Sequence, residues 1–269
     1  MNRLALPLVA ACLIGCAGHA STLADEHRDA SVFLLDPTDI PGTYDYGSLN
    51  VEPFPSAPKA FNFYLHGKSL GRAQLVSSAD PEVGEGIVAS FSPTMDIAAG
   101  TLIADRDINP GGRYEARPAT QAEHAELVRM EGSIGRPSIP PKPGDGGRRS
   151  EVLTIVTDRS RQLGDVAIHS SETYWKDSNG ETSLASFVGI YVRSTSGQWR
   201  VEYTESHSGC DGCESQPRSW SLVGFGDVRG AGQLTLLFTE LAYETWGISG
   251  YELNRTGKGS WLSPDLKHE

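Results

Sequence analysis

The sequence predicts an α+β fold, mainly antiparallel β, with one short helix near residues 120–131. Three observations predict it. Apolar residues alternate in short runs such as Ala60–Leu65 (AFNFYL) and Ala185–Arg193 (ASFVGIYVR), the period that lays one face of a strand on a core. Thirty glycines and sixteen prolines punctuate those runs in 269 residues, which favours strands and turns over a helical bundle. Only Thr120–Glu131 carries clear helix signals: Thr120 and Glu123 are spaced as a capping box, and Gly132 follows as a stop. About twelve strands are legible by period and turn signals. A complete β-propeller takes at least four blades of about four strands, so the fold expected is not one.

The chain opens MNRLALPLVAACLIGCAGHAS. Arg3 gives a short basic segment, and Leu4–Ile14 gives an apolar one too short to span a bilayer as a helix, the pattern of an export signal. Leu13-Ile14-Gly15-Cys16 resembles the lipobox of bacterial lipoproteins. The resemblance implies removal of residues 1–15, lipidation of Cys16 and a membrane anchor. Ala17 and Gly18 carry no acidic retention signal, which by the same resemblance points to the outer membrane, facing the periplasm or the surface. The competing reading is cleavage after Ala20 and simple secretion. Residues 16–30 read as a tether.

From there the elements follow in order. Ser31–Leu35 is a strand, and Asp36–Tyr46 is turn-rich. Ala60–Leu65 and Arg72–Ser77 form a hairpin about a glycine-bearing loop, HGKSLG. The Gly-Lys-Ser within it lacks the earlier glycine of a phosphate loop, since Asn62 stands there, and no helix follows. Gly86–Ser92 and Thr101–Ala104 are short strands. In the helix, Leu127, Val128 and Met130 lie on or near one side. Residues 133–150 hold four prolines and four glycines, a loop or linker that separates an N-terminal part, 31–132, from a C-terminal part, 151–269.

The C-terminal part is the most strand-like. Val152–Thr157 leads through an Asp158-led loop to Asp165–His169. Val188, Ile190 and Val192 share one face of Ala185–Arg193, and Trp199, Val201 and Tyr203 alternate on the next strand, across a Ser194–Gln198 turn. Trp220, Leu222, Leu234, Leu236, Phe238, Trp246, Ile248, Tyr251 and Trp261 continue the apolar supply.

Ser221–Leu253 reads SLVGFGDVRGAGQLTLLFTELAYETWGISGYEL. This stretch resembles the strand–loop–strand units of FG-GAP and VCBS repeats in secreted bacterial proteins, and the Asp158 loop resembles it in turn. In those families carboxylates at alternating loop positions bind calcium. Here the positions are Asp227, Arg229 and Ala231 in one loop, and Asp158, Ser160 and Gln162 in the other. One carboxylate per loop predicts structural turns without calcium, with Asp227, Gly230 and Gly232 shaping the second.

Cys210 and Cys213 are the only cysteines beyond the export signal. Three states compete for them. An exported protein meets an oxidising compartment, so a disulfide leads. A redox dithiol needs a helix start, which Gly209, Gly212 and Pro217 oppose. Zinc would need His207 and a fourth ligand such as His169.

A net charge of −11 disfavours nucleic acid as a partner. No nucleophile elbow, dinucleotide fingerprint or zincin helix is present, and no catalytic residue, cofactor or metal is assigned. The sequence therefore reads as a non-catalytic cell-envelope lipoprotein with a binding or scaffolding role, its partners the membrane through the anchor and an envelope protein or glycan. The alternative is an exported hydrolase with dispersed catalytic residues.

Overall fold

The computed structural model describes residues 29–50, 53–79, 86–133, 148–176, 180–210, 218–242 and 245–262. The segment read as an export signal, Cys16, Cys213, most of the Pro/Gly-rich loop and His27 lie outside them. The described chain is mainly antiparallel β with one α-helix.

Six strands close into a barrel: β1 (Val32–Pro37), β2 (Thr43–Ser48), β3 (Lys59–Leu65), β4 (Lys68–Ala79), β5 (Ile87–Ser92) and β6 (Thr101–Ala104). Their order is β1-β2-β5-β4-β3-β6, and β6 closes the ring against both β1 and β3. The period of two sorts the side chains. Phe33, Leu35, Phe61, Phe63, Leu75 and Ile103 fill the interior. Val32, Leu34, Leu102 and Ala104 point outward, into a second core shared with Val223, Leu237 and Ile248. The stretch read as turn-rich holds the turn at 38–42 and then β2, whose Tyr44 and Tyr46 pack on the barrel core.

Beyond the barrel run β7 (Tyr114–Pro118), α1 (Gln121–Ser133), β8 (Arg148–Asp158), β9 (Val166–Lys176), β10 (Thr182–Arg193) and β11 (Trp199–Cys210). The strands make one sheet in the order β11-β10-β9-β8-β7. Although β7 and α1 precede the Pro/Gly-rich loop in sequence, β7 pairs with β8 beyond it. The last four strands, β12 (Ser219–Gly226), β13 (Leu234–Ala242), β14 (Thr245–Leu253) and β15 (Gly259–Trp261), form a meander. The two sheets share a core. Val156, Ile168, Val188 and Ile190 from one meet Trp220, Phe225, Leu236 and Phe238 from the other.

Helix α1 covers the opposite face of the five-stranded sheet, where Leu127 packs with Ile155, Ala167, Tyr191 and Trp199. The capping box forms. The Glu123 carboxylate accepts from the Thr120 amide at 2.9 Å, and the Glu123 amide donates to Thr120 Oγ1 at 3.3 Å. Arg117 from β7 grips the same carboxylate with two bonds of 2.8 Å. The side expected to be apolar is only partly so. Leu127 is fully buried and Met130 packs beside it, but Val128 is exposed, and Glu131 is buried on the same side.

Two of the four register shifts among the described strands, both in the C-terminal sheets, break the expected alternation. Val188, Ile190 and Val192 do share a face. Between Ile190 and Tyr191, however, the register with β11 shifts, so Glu202 is the extra residue. Trp199 and Val201 therefore face α1, while Tyr203 faces the other sheet. A second bulge at Val223 lets Trp220, Leu222 and Phe225 share one core while Val223 turns to the barrel.

Candidate binding cleft

A cavity of about 790 Å³ opens where the three sheets meet. Its walls come from Leu65, His66, Lys68 and Leu70 of the β3–β4 hairpin, from Ala116, Arg117 and Pro118 of β7, and from β8 and β12. Four consecutive β12 residues, Leu222–Phe225, line it, as do three consecutive ones of β7. A strand that presented a face would contribute every second residue. Consecutive residues mean that the strand edges form the wall. Both strands are the outermost of their sheets, so each carries an unpaired row of backbone groups. Leu70 and Val152, lining the same cavity, are 38% and 53% exposed. Lys68 lines it with its side chain exposed, beside His66, while Arg117 is held by Glu123.

The hairpin tip is fixed by packing. His66 and Gly67 form its turn, with φ of 50° and 76°. A Cβ on Gly67 would overlap the Phe225 ring, so glycine answers both the positive φ and the close approach. A smaller recess of about 350 Å³ adjoins the cavity and shares His66, Lys68, Ala116 and Phe225 with it. Asn109 anchors that recess: its Nδ2 donates to the Tyr114 carbonyl at 2.9 Å, and its Oδ1 accepts from the Tyr114 amide at 2.8 Å. Burial pushes the Tyr114 phenol well above its ordinary range, so it lines the recess uncharged.

A buried group of titratable side chains lies elsewhere. His169 on β9 is fully buried beneath α1. Its Nδ1 lies 2.5 Å from Glu131 Oε1, and its Nε2 lies 2.9 Å from Glu151 Oε1. The Tyr191 hydroxyl donates to Glu131 at 2.7 Å, and His124 lies 3.5 Å from Glu151. With a carboxylate on each ring nitrogen and no exposure, this imidazole cannot activate a nucleophile or meet a substrate. It ties the end of α1 to the sheet. No sequence motif marks it.

The residues singled out in the sequence are spread apart. Asp227 caps its loop by accepting from the Ala231 amide at 3.0 Å and the Gly232 amide at 2.7 Å. Gly230 and Gly232 sit at φ of 69° and 73°. Asp158 does the same work in the earlier loop, accepting from the Ser160 amide at 2.9 Å and the Leu163 amide at 3.2 Å. It also takes a two-pronged bond from Arg113, at 3.0 Å each. Burial raises its pKa, but Arg113 and Ser160 outweigh burial and hold it at about 2.

Cys210 ends β11, opposite Ser183. His207 packs at a tilt against Trp220 and bonds Glu205 at 2.7 Å, on the face toward β12. His169 is on the other face, among Phe187 and α1. A zinc site joining His207 to His169 is therefore ruled out by the sheet between them. Among the described residues no group of three or more His, Cys, Asp or Glu is placed to hold a metal ion.

No helix among the described residues is long and apolar enough to cross a membrane. Compared with known proteins, the chain matches no family model, no curated protein and no solved structure.

Proposed function

We propose that the protein is a non-catalytic cell-envelope lipoprotein that binds an extended segment of another envelope protein in the three-sheet cleft. The observation that carries this reading is the pair of unpaired strand edges, β7 and β12, lining one apolar cavity. An added strand satisfies such an edge through its backbone and places alternate side chains in pockets. Leu70, Val152 and Leu222 supply those pockets, and the exposed Lys68 ammonium favours a segment with an acidic flank. The lipobox-like sequence supports anchoring through Cys16 at the outer membrane, with residues 16–30 as the tether. A Cys210–Cys213 disulfide suits the oxidising compartment. The FG-GAP-like character of the C-terminal part rests on the likeness of the Asp158 and Asp227 loops.

The hydrolase alternative has no comparable support, since the buried His169–carboxylate group among the described residues is closed on itself. A photo-reactive residue at Leu70, used in cells, tests the proposal. The expected result is an adduct with one defined segment of an envelope protein, lost on Val152→Asp. Adducts indistinguishable from those formed by the same residue at Ile40, exposed but outside the cleft, would overturn it. Adducts with glycan would shift the partner class, and turnover of ester, glycoside or peptide substrates would favour the hydrolase.

A further inference from the structure

A second cavity, of about 770 Å³, lies at the loop ends of the two C-terminal sheets and shares no lining residue with the cleft. Six charged side chains line it, four arginines and two aspartates, in a protein whose net charge is −11. Both aspartates are already matched. Asp158 is held by Arg113 at 3.0 Å, and Asp165 by Arg193 at 3.3 Å. Arg200 is matched as well, lying 2.5 Å from Glu202. Arg161 and Arg255 have no side-chain partner among the described residues, and both are exposed. Among the described residues the cavity therefore holds two guanidinium groups in excess.

Both are held on fixed loops. Arg161 stands at φ 58°, one of two non-glycine residues at positive φ among the described residues. Its amide donates to the Asp158 carbonyl at 2.9 Å, within the loop that Asp158 caps. A non-glycine residue kept in that conformation costs about 1 kcal/mol or more, a cost that surrounding structure sustains most often at functional positions. Arg255 sits in the β14–β15 turn, where the Asn254 amide donates to the Lys258 carbonyl at 2.9 Å. Arg200 Nη2 reaches from β11 to the Thr256 carbonyl at 3.0 Å and ties that turn across the cavity. Hydroxyls of Ser194, Thr195 and Thr256 stand in the same lining.

We infer that this cavity is a binding site for a phosphomonoester, held between Arg161 and Arg255. The planar fork of arginine matches tetrahedral oxyanions two bonds at a time, and two forks match a dianion rather than a monoanion. The neighbouring hydroxyls fit the polyol that such a phosphate carries. The inference does not rest on the cleft or on its occupant.

The test is calorimetric titration of the full-length protein in detergent with inorganic phosphate, against chloride at matched ionic strength. Wild type binds phosphate, and Arg161→Gln and Arg255→Gln each weaken it about tenfold, the lower end for loss of a charge-assisted hydrogen bond. Arg255→Lys keeps the charge but loses the fork, and weakens binding less than Arg255→Gln. Arg72→Gln removes one exposed charge from β4 and leaves binding unchanged. Glucose 6-phosphate and glycerol 3-phosphate then separate a sugar source from a lipid-headgroup source by which binds more tightly. Equal binding by wild type and the Arg161→Gln/Arg255→Gln double variant, or equal weakening by Arg72→Gln, overturns the inference. Cleft variants such as Val152→Asp leave phosphate binding intact, so failure of one proposal is distinguishable from failure of the other.

Discussion

His169→Leu removes the imidazole from between Glu131 and Glu151 while keeping the volume close. Glu151 lies at the sheet surface, 26% exposed by side chain, and can turn to water. Glu131 cannot, because its side chain is 1% exposed and its oxygen also receives the Tyr191 hydroxyl. Breaking a buried pair from one side leaves a charge without its counterpart and costs about 3–5 kcal/mol. Against a total stability of about 5–15 kcal/mol that is a large fraction. For a chain of this size the midpoint should fall by about 6–20 °C, at about 2–4 °C per kcal/mol. The double variant Glu131→Met/His169→Leu replaces both groups by apolar ones. It should recover most of the loss, remaining about 1–2 kcal/mol below wild type because the Tyr191 hydroxyl loses an acceptor. Urea unfolding of wild type, both single variants and the double variant closes the cycle. A His169→Leu loss below about 1 kcal/mol, or a double variant equal to the sum of the singles, would refute a buried pair that pins α1 to the sheet.

Further consequences follow from the loops and the hairpin. Gly67→Ala forces a Cβ into the Phe225 ring at φ 76°, so it should destabilise by about 2 kcal/mol or more and abolish the Leu70 adduct, read by thermal melting and crosslinking. Glu123 is drawn down from 4.5 to about 2, chiefly by Arg117, and Asp158 from 3.8 to about 2. Their folded-state values lie below the unfolded ones, so their stabilisation is present above about pH 4.5 and is lost as pH falls towards 2. Arg113→Ala should move the acid-unfolding midpoint upward, and an unchanged midpoint would contradict the pairing. Millimolar calcium should leave the melting temperature unchanged, because both Asp227 oxygens are bonded to amides and Arg229 stands at the second ligand position. A rise of several degrees would show that the loop binds the ion.

What the sequence disclosed was local. The capping box, the Ser194–Gln198 turn and the period of two in Val188–Val192 each depend on residues a few positions apart, and each is formed as read. Segments held by distant partners were illegible. β7 reads YEARP, with a proline and two charges and no alternation, and it becomes a strand by pairing with β8 across the Pro/Gly-rich loop. Bulges shift parity without leaving a signature, which is why Trp199 and Tyr203 face opposite ways. Glu131 looks like an ordinary polar residue near a helix end, and only the packing of α1 over His169 explains its burial. The cleft combines four segments between residues 65 and 225, so no spacing within the chain could announce it.

Strand addition at the cleft is the central claim, and amide hydrogen exchange tests it most directly. The segment captured at Leu70 is synthesised and added to the purified full-length protein. Alternate amides within Leu222–Phe225, and those of Ala116 and Arg117 that face outward, should slow as they gain backbone partners. Unchanged exchange at both edges in the presence of bound segment, or protection confined to other strands, would contradict it.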